Sequence, residues 1–192
     1  MMPPDFVFAV TPVADALDAI GVPYYLAGSV ISSLHGFARA TADVDVVAAL
    51  RPLHVAQLAD RLAGVFYADP DAMADAIRRR AMFNVVHLAT MVKVDVYIAA
   101  TEFDASAMSR HLLKALDDMP GARQFSIATA EDVILHKLTW FRDGGGVSER
   151  QWNDVVGVLR VQRGIDLDFL RDWAARLEVT DLLERALLEA SR

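Results

Sequence analysis

Two short segments alternate valine with charged or aromatic residues, and this alternation limits the fold more than any other feature of the sequence. Asp43-Val-Asp45-Val and Val92-Lys-Val-Asp-Val-Tyr-Ile98 both repeat with a period of two. Because side chains on a β-strand alternate between its faces, each segment predicts a strand with aliphatic residues on one face and polar ones on the other. Asp43 and Asp45 then share a face, with their Cα atoms roughly 7 Å apart.

The rest of the chain predicts helices mixed with strands up to about residue 128 and helices alone after it. Helices are expected over 12–20, 29–35, 52–64 and 69–80, and further strands over 24–28, 83–90 and 123–128. The first helix is expected to begin at Thr11-Pro12, since threonine caps helices and proline favours the first helical position. The sequence therefore predicts an α/β (α+β) protein, with a core over 1–128 and a helical region over 129–192.

Local patterns mark the helices of the C-terminal region. Thr129-Ala-Glu-Asp132 resembles a capping box, and Ser148-Glu-Arg-Gln151 fits one. The three glycines at 144–146 follow a helix rather than a strand and lack the Lys-Ser/Thr pair that closes a phosphate loop. These glycines are expected to end a helix and to form a hinge.

Composition and charge exclude several classes of protein. The 192 residues are 54% hydrophobic and include no cysteine, so a sizeable core is expected without disulfides or thiolate zinc sites. Residues 1–128 hold 10 basic and 14 acidic side chains, and the rest hold 9 and 12. This acidic balance disfavours a broad phosphate-binding surface.

The arginines at 78–80 are expected on a solvated helix face or end, with a small cationic patch as the alternative.

The sequence predicts a cytoplasmic protein with no membrane partner. Its first residues, "MMPPDFVFAV", place an acid where a signal peptide has basic residues. No stretch reaches the roughly 18 uninterrupted apolar residues that a membrane span needs.

The paired aspartates are the first candidate site. Two carboxylates on one strand face repel each other, so a buried or half-buried pair needs a cation. Oxygen ligands of this kind favour magnesium or manganese. The alternative is a pair of solvated acids in a turn before a strand.

Gly28-Ser29 and Asp95 strengthen the first interpretation. Gly28-Ser29 lies where a strand is expected to give way to a helix, and the N–H groups of a helix start can hold an anion. Glycine also lets a phosphate approach the backbone closely. Asp95 adds a third acid on the polar face of a second strand. An anion cradle together with three acids is typical of a two-metal phosphoryl-transfer site.

These residues resemble a known family. Gly28-Ser29, thirteen residues and then Asp43-Val-Asp45-Val resembles the signature of the DNA polymerase β-like nucleotidyltransferase superfamily, and Asp95 matches its third acidic position. The stretch "HGFARATADVDVV" is similar to minimal bacterial nucleotidyltransferases and to the AbiEii-type toxin group. The likeness continues through "EDVILHKLTWF" and "SERQWNDVVGVL" and so covers most of the chain. It implies a nucleotidyltransferase core with a mixed β-sheet flanked by helices, plus a C-terminal helical region.

The resemblance also implies the metal and its ligands. Asp43 and Asp45 would bind both ions of a Mg²⁺ (or Mn²⁺) pair. Asp95 would complete the catalytic metal site and help to deprotonate the attacking hydroxyl. Gly28 and Ser29 would hold the phosphates of a nucleoside triphosphate (NTP).

Further matches concern the segment before the acids. Arg39 and Thr41 match the "R-x-T-x-D" spelling of the minimal and toxin-like members and would belong to the nucleotide site. For Arg39, an ion pair with a local acid is an equally good interpretation. His35 and Gly36 also match, and we expect a structural role for His35 and a helix C-terminus at Gly36.

Lys137 lies inside the apolar stripe of the helix "EDVILHKLTWF". An inward-facing lysine must meet an anion or extend its charge to solvent. One interpretation is that Lys137 reaches a nucleotide phosphate or Asp43 and Asp45, and the resemblance to AbiEii-like proteins favours this role. The alternative is a lysine that extends its charge to solvent or forms a structural ion pair, for example with Asp132 or Asp154. We expect Asp154 to support Lys137 or the base, and we expect both Trp140 and Trp152 to be core residues.

The expected function is transfer of a nucleoside monophosphate (NMP) from an NTP to a hydroxyl. The compact chain and the resemblance favour a macromolecular acceptor, an RNA 3′ end such as that of tRNA or a protein, and a toxin with an antitoxin partner. A small-molecule acceptor of the aminoglycoside type is the alternative. A third interpretation is a non-catalytic nucleotide-binding protein on the same fold. The absence of one of the three candidate acids would favour it, and all three are present.

Overall fold

The computed structural model describes residues 4–36 and 43–191, which form one seven-stranded sheet with helices on both sides. The strand order is β3-β4-β5-β2-β1-β7-β6. The strands are β1 (Tyr24–Ala27), β2 (Asp43–Ala48), β3 (Phe66–Tyr67), β4 (Met82–His87), β5 (Lys93–Ile98), β6 (Leu112–Ala115) and β7 (Gln124–Ile127). Both parallel and antiparallel pairs occur, so the sheet is mixed as expected.

Helices fill the connections and make up the C-terminal part. The described helices are α1 (Pro4–Ala19), α2 (Gly28–His35), α3 (Val55–Leu62), α4 (Pro70–Arg79), α5 (Glu102–Arg110), α6 (Ala130–Asp143), α7 (Glu149–Val161), α8 (Leu167–Arg176) and α9 (Thr180–Ala190). No helix within the described ranges is both long and apolar enough to cross a membrane.

The expected start of the first helix was wrong. Helix α1 begins at Pro4 and carries Pro12 in its interior. Thr11 does not cap it, because its hydroxyl donates to the carbonyl of Val7 one turn earlier. Proline inside a helix costs about 3 kcal/mol. Burial of α1 residues on both sides of the proline, such as Val10 and Leu17, offsets that cost.

The central strands set the geometry of the site. Strands β2 and β5 are parallel, and their register places Asp43 beside Lys93 and Asp45 beside Asp95. Strand β1 runs antiparallel to β2 and places Ala27 beside Asp45. The charged residues of β2 and β5 lie on the face opposite to the alternating valines, as predicted, and the hydrophobic core buries those valines, Val44, Val46, Val94 and Val96.

The C-terminal helices begin and end at the expected signals. Thr129 caps α6 by accepting from the backbone N–H of Asp132, and Ser148 caps α7 by accepting from that of Gln151. Gly144 ends α6, which confirms the glycine run as a helix end. The hinge and the domain boundary at 128/129 stay predictions. Buried residues from both sides of that boundary belong to one hydrophobic cluster.

Candidate nucleotide and metal site

Gly28 and Asp45 come into close contact where β1 gives way to α2. Gly28 has a φ of +67°, which L residues rarely adopt, and a Cβ built on it would overlap the Asp45 carboxylate. The backbone N–H of Ser29, the next residue, donates to Asp45. Two features therefore require glycine at position 28: the positive φ, and the close approach of the Asp45 carboxylate to the start of α2.

Asp43 and Asp95 share a lysine on the same face of the sheet. The Lys93 ammonium lies 2.9 Å from Asp95 Oδ2 and 3.4 Å from Asp43 Oδ1. These ion pairs raise the pKa of Lys93, with the hydrogen bond to Asp95 as the largest cause. The sequence placed Lys93 on this face but did not identify its partners, which depend on the parallel register of β2 and β5.

Lys137 reaches the same site from helix α6. Its Nζ donates to Asp154 Oδ2 at 2.8 Å and to Ser29 Oγ at 3.1 Å. Only 3% of the Lys137 side chain is exposed, and Asp154 is buried as well. Asp132, the other expected partner, instead bonds to Thr129 and lies 3.8 Å from Arg110. Lys137 thus has a structural partner and also contacts Ser29 at the cavity, and its expected role towards a nucleotide phosphate stays a prediction.

The electrostatics of the acids resemble those of a cation site. Burial raises the pKa of Asp45 to about 6, against the opposing effect of Lys137, and the charge of Asp95 raises it further. Asp95 Oδ1 is buried and has no hydrogen-bond partner among the described residues. Both observations indicate more carboxylate charge than the surrounding donors satisfy.

The acids are nevertheless not yet arranged as metal ligands. Across residues 4–36 and 43–191, no group of three acidic or histidine side chains is placed to hold a metal ion as it stands. The Lys93 ammonium lies between two of the three expected ligands. The donor types fit Mg²⁺ or Mn²⁺, and their present spacing fits the lysine.

These side chains surround a cavity of about 260 Å³. Its walls are formed by Ser29, Asp43, Asp45, Asp95, Tyr97, Lys137, Trp140, Ser148, Arg150 and Gln151. The cavity brings together Ser29, the three acids and Lys137, all of which the sequence assigned to one site. It adds Tyr97 and the first turn of α7, which the sequence did not assign to it.

Trp140 is a correction to the sequence analysis. We expected both Trp140 and Trp152 in the core, and only Trp152 is buried there. Trp140 is half-buried, lines the cavity and stacks on Tyr97 with ring centroids 5.5 Å apart. The helical pattern alone could not separate the two, because an aromatic residue that faces a cleft and one that faces the core repeat with the same period.

The remaining predictions concern the helix ends and the segment between α2 and β2. Arg39 and Thr41 lie outside the described residues, so their expected roles stay predictions. The ring of His35 is buried and bonds to the carbonyl of Ala128, which agrees with a structural role. Gly36 ends α2 as expected. Within the triplet at 78–80, Arg78 and Arg79 pair with Asp75 and form a solvated helix end.

Comparison with solved structures identifies the fold. The solution structure of the antibiotic-resistance factor ANT(2'')-Ia aligns with 96% of this chain and 98% of its own, at 14% identity and a TM-score of 0.58. A nucleotidyltransferase-like protein from Paracoccidioides brasiliensis aligns with 97% of this chain and 94% of its own, at 14% identity and a TM-score of 0.54. The crystal structure of ANT(2'')-Ia with adenylyl-2''-tobramycin covers 88% of this chain and 96% of its own, at 12% identity and a TM-score of 0.54.

No protein-family model and no curated protein matches the chain. At these identities the structural likeness establishes a nucleotidyltransferase fold, and it confirms the expected fold class. The resemblance to the AbiEii-type group stays a prediction.

Proposed function

We propose that the protein is a metal-dependent nucleotidyltransferase that moves an NMP from an NTP to a hydroxyl acceptor. The observation that carries the proposal is the cavity in which three aspartates face Ser29 and a buried lysine. The acids come from two adjacent strands, the serine from a helix start and the lysine from α6. A set of groups from four elements that converges on one cavity supports a reaction site over a pair of solvated acids.

The transfer is a displacement at the α-phosphorus. The acceptor oxygen forms a bond to this phosphorus, and the bond to the oxygen bridging the α- and β-phosphates breaks. Pyrophosphate leaves with that electron pair, while the hydroxyl proton passes to the Asp95 carboxylate and then to solvent. Asp95 suits the task because one of its oxygens is buried and has no hydrogen-bond partner in the described part of the chain.

Asp43, Asp45 and Asp95 would hold the divalent ions, Mg²⁺ or Mn²⁺. The ions would supply charge neutralisation of the phosphates and of the attacking oxygen. The ions and the Lys93 ammonium would use the same two carboxylates. Metal binding therefore requires the ammonium to leave Asp43 and Asp95. Ionised carboxylates are needed, so the raised pKa of Asp45 predicts weaker metal binding below about pH 6.

Lys137 and Ser29 would bind the phosphates of the NTP. The Lys137 ammonium already lies 3.1 Å from Ser29 Oγ, at the start of α2. Asp154 Oδ2 accepts a hydrogen bond from the same ammonium at 2.8 Å and would hold it in that position. Asp154 is therefore a positioning residue for Lys137. Gly28, Arg39 and Thr41 complete the nucleotide-binding residues that the family resemblance implies.

The test is transfer of radiolabel from each α-labelled NTP in the presence of magnesium and a cellular extract. Asp45→Asn and Asp95→Asn should each abolish transfer while the protein stays folded, as circular dichroism would show. Asp60→Asn, which changes an exposed acid on α3, is the matched control and should behave as the wild type. Full turnover by both site variants would refute the role of these acids, whereas nucleotide binding without any transfer by the wild type would favour a non-catalytic nucleotide-binding protein.

The acceptor divides this function into two candidates. The family resemblance supports an RNA 3′ end or a protein, and with it a cytoplasmic toxin that an antitoxin partner restrains. Growth arrest in a bacterial host that depends on Asp43 and Asp45, with label in RNA or protein, would support this candidate. The second candidate is a small hydroxyl compound, because a solved structure of this fold holds adenylyl-2''-tobramycin.

A further inference from the structure

The first turn of helix α7 lines the site cavity with side chains that belong neither to the metal ligands nor to the nucleotide-binding residues. Ser148, Arg150 and Gln151 border this cavity of about 260 Å³, together with Lys137 and the three acids. Ser148 caps α7, so its hydroxyl already has a backbone partner. Arg150 and Gln151 are therefore the two side chains of this turn that a bound molecule could engage.

Arg150 differs from the two lysines of the site because no acid matches its charge. Lys137 pairs with Asp154 at 2.8 Å, and Lys93 pairs with two acids of the expected metal site. Across residues 4–36 and 43–191, the side chain of Arg150 forms neither an ion pair nor a hydrogen bond. Arginine stays ionised at any physiological pH. Its full charge is thus available to an anion that enters the cavity.

Arg150 lies one helical turn away from the contact that Lys137 makes. Asp154, which accepts from Lys137, follows Arg150 by four residues on α7. Residues four apart share a helix face and are separated by about 6 Å along the axis. Lys137 itself donates to Ser29. The two cations therefore follow one another along one wall, with Lys137 beside Ser29 and Arg150 one turn further towards the start of α7.

The position of Arg150 also conflicts with the local preference of a helix start. The N-terminus of a helix carries a partial positive charge, which favours acids in the first turn, and Glu149 follows this preference. A cation at the next position is repelled by the same charge. Residues that break a local rule are expected at functional sites. An anion beside this turn would offset the repulsion, because it attracts both the guanidinium and the helix start.

Gln151 adds an unsatisfied polar atom to the same turn. Its Oε1 is buried and has no hydrogen-bond partner among the described residues. In a complete capping box this side chain would accept from the backbone N–H of Ser148, but only the bond from the Gln151 N–H to Ser148 Oγ is formed. A half-turn of the terminal amide exchanges its oxygen for its NH₂ group, so the side chain can donate to an anion held by Arg150. A buried polar atom that borders a cavity without a partner indicates a ligand contact.

We propose that Arg150, assisted by Gln151, binds the terminal phosphates of the NTP and makes the site select triphosphates. The proposal rests on the proposed function, since it assigns a phosphate contact within the same reaction site. Lys137 and Ser29 would hold the phosphate nearer to the reacting α-phosphorus, and the planar guanidinium would hold the far end of the chain in a bidentate contact. When the bond between the α-phosphorus and the bridging oxygen breaks, the electron pair stays on the pyrophosphate. Arg150 would stabilise that added charge on the leaving group.

Nucleotide binding tests this role without any turnover. In an α,β-methylene triphosphate a carbon replaces the bridging oxygen, so the analogue binds and does not react. The analogues of the common nucleosides are titrated into the wild type with Mg²⁺ by isothermal calorimetry, and the one that binds best is compared with its monophosphate. Arg150→Met should lower the affinity for the triphosphate about ten-fold or more and leave the affinity for the monophosphate unchanged. Arg150→Lys keeps the charge without the planar fork and should lower the triphosphate affinity several-fold.

The matched control is Arg163→Met. Arg163 is an exposed arginine just beyond α7 and does not line the site cavity. This variant should bind both nucleotides as the wild type does. Arg150 is exposed as well, so its variants should fold, which circular dichroism checks. Arg150→Lys decides the question even if Arg150→Met does not fold.

Failure of this inference is distinguishable from failure of the proposed function. If no triphosphate analogue binds the wild type, the proposed function fails, and the role of Arg150 fails with it. If the wild type binds the triphosphate and the Arg150 variants bind it equally well or better, the role of Arg150 is overturned and the proposed function stands. An equal loss of triphosphate and monophosphate binding also overturns it, because Arg150 would then act on the nucleoside or the α-phosphate. A loss confined to the triphosphate supports both.

Discussion

Two lysines meet the carboxylates of the site, and they differ in how they are buried. Lys137 is 3% exposed and its partner Asp154 is 6% exposed at the side chain, whereas Lys93 is 38% exposed between Asp43 and Asp95. A buried charge that loses its partner has no water to replace it. A half-exposed charge is screened by solvent and can exchange its partners at little cost. The comparison suggests that Lys137 is a fixed part of the site and that Lys93 is replaceable by a metal ion.

The largest expected effect is loss of the buried partner. Asp154→Ala should lower the free energy of unfolding by about 3–5 kcal/mol, because the Lys137 ammonium would be left in a buried position without its ion pair. Urea denaturation of the metal-free protein measures this change. Asn153→Ala, an exposed change on the same helix, is the control and should cost little. A loss below about 1 kcal/mol for Asp154→Ala would mean that the Lys137–Asp154 pair stabilises the fold no more than a solvent-exposed ion pair does.

Removal of the buried lysine tests its role towards nucleotide. Lys137→Met keeps the aliphatic stem and deletes the charge, so nucleotide affinity or turnover should fall about ten-fold or more, and each factor of ten corresponds to about 1.4 kcal/mol. Lys114→Met on the edge strand β6 is the matched control. Unchanged kinetics in Lys137→Met would mean that the lysine serves only the ion pair with Asp154.

The acids between the two lysines should respond to pH. Burial raises the pKa of Asp45 to about 6, so the folded protein binds more protons than the unfolded chain between the ordinary carboxyl pKa and about pH 6. Stability of the metal-free protein therefore falls as the pH rises through this window. Asp45→Asn should remove this fall and leave the variant relatively more stable above pH 6. Thermal unfolding in EDTA at pH 4 and pH 7 measures the difference, with Asp60→Asn as control; equal pH slopes for Asp45→Asn and wild type would contradict it.

The smallest expected effect belongs to the exposed lysine. Lys93→Met should lower the free energy of unfolding by less than Asp154→Ala does, because the lysine itself is 38% exposed even though its partner Asp95 is 8% exposed. The same variant should bind Mn²⁺ several-fold more tightly, since the ammonium no longer competes for Asp43 and Asp95. Electron paramagnetic resonance of free Mn²⁺ measures this affinity without turnover. Weaker Mn²⁺ binding in Lys93→Met would show that the lysine supports the metal ligands instead of competing with them.

The sequence by itself determined the local features of this protein. The alternation in β2 and β5, the cap at Thr129 and the helix end at Gly144 each depend on a few neighbouring residues, and the structure confirms all three. The convergence of Ser29 and three acids was also predictable, through the spacing of the family signature. Such signals are readable because hydrogen bonds and side-chain alternation within one element do not depend on the rest of the chain.

Only the tertiary structure decided features that depend on contacts between distant segments. Packing of α1 kept Pro12 inside a helix, and pairing with neighbouring strands created the short strands β3 and β6, which the sequence analysis missed. The choice of Asp154 over Asp132 as the partner of Lys137 depended on where α7 lies against α6. The exposure of Trp140 likewise depended on a cavity that several elements enclose. These outcomes are settled by burial, and burial is a property of the assembled fold rather than of any one segment.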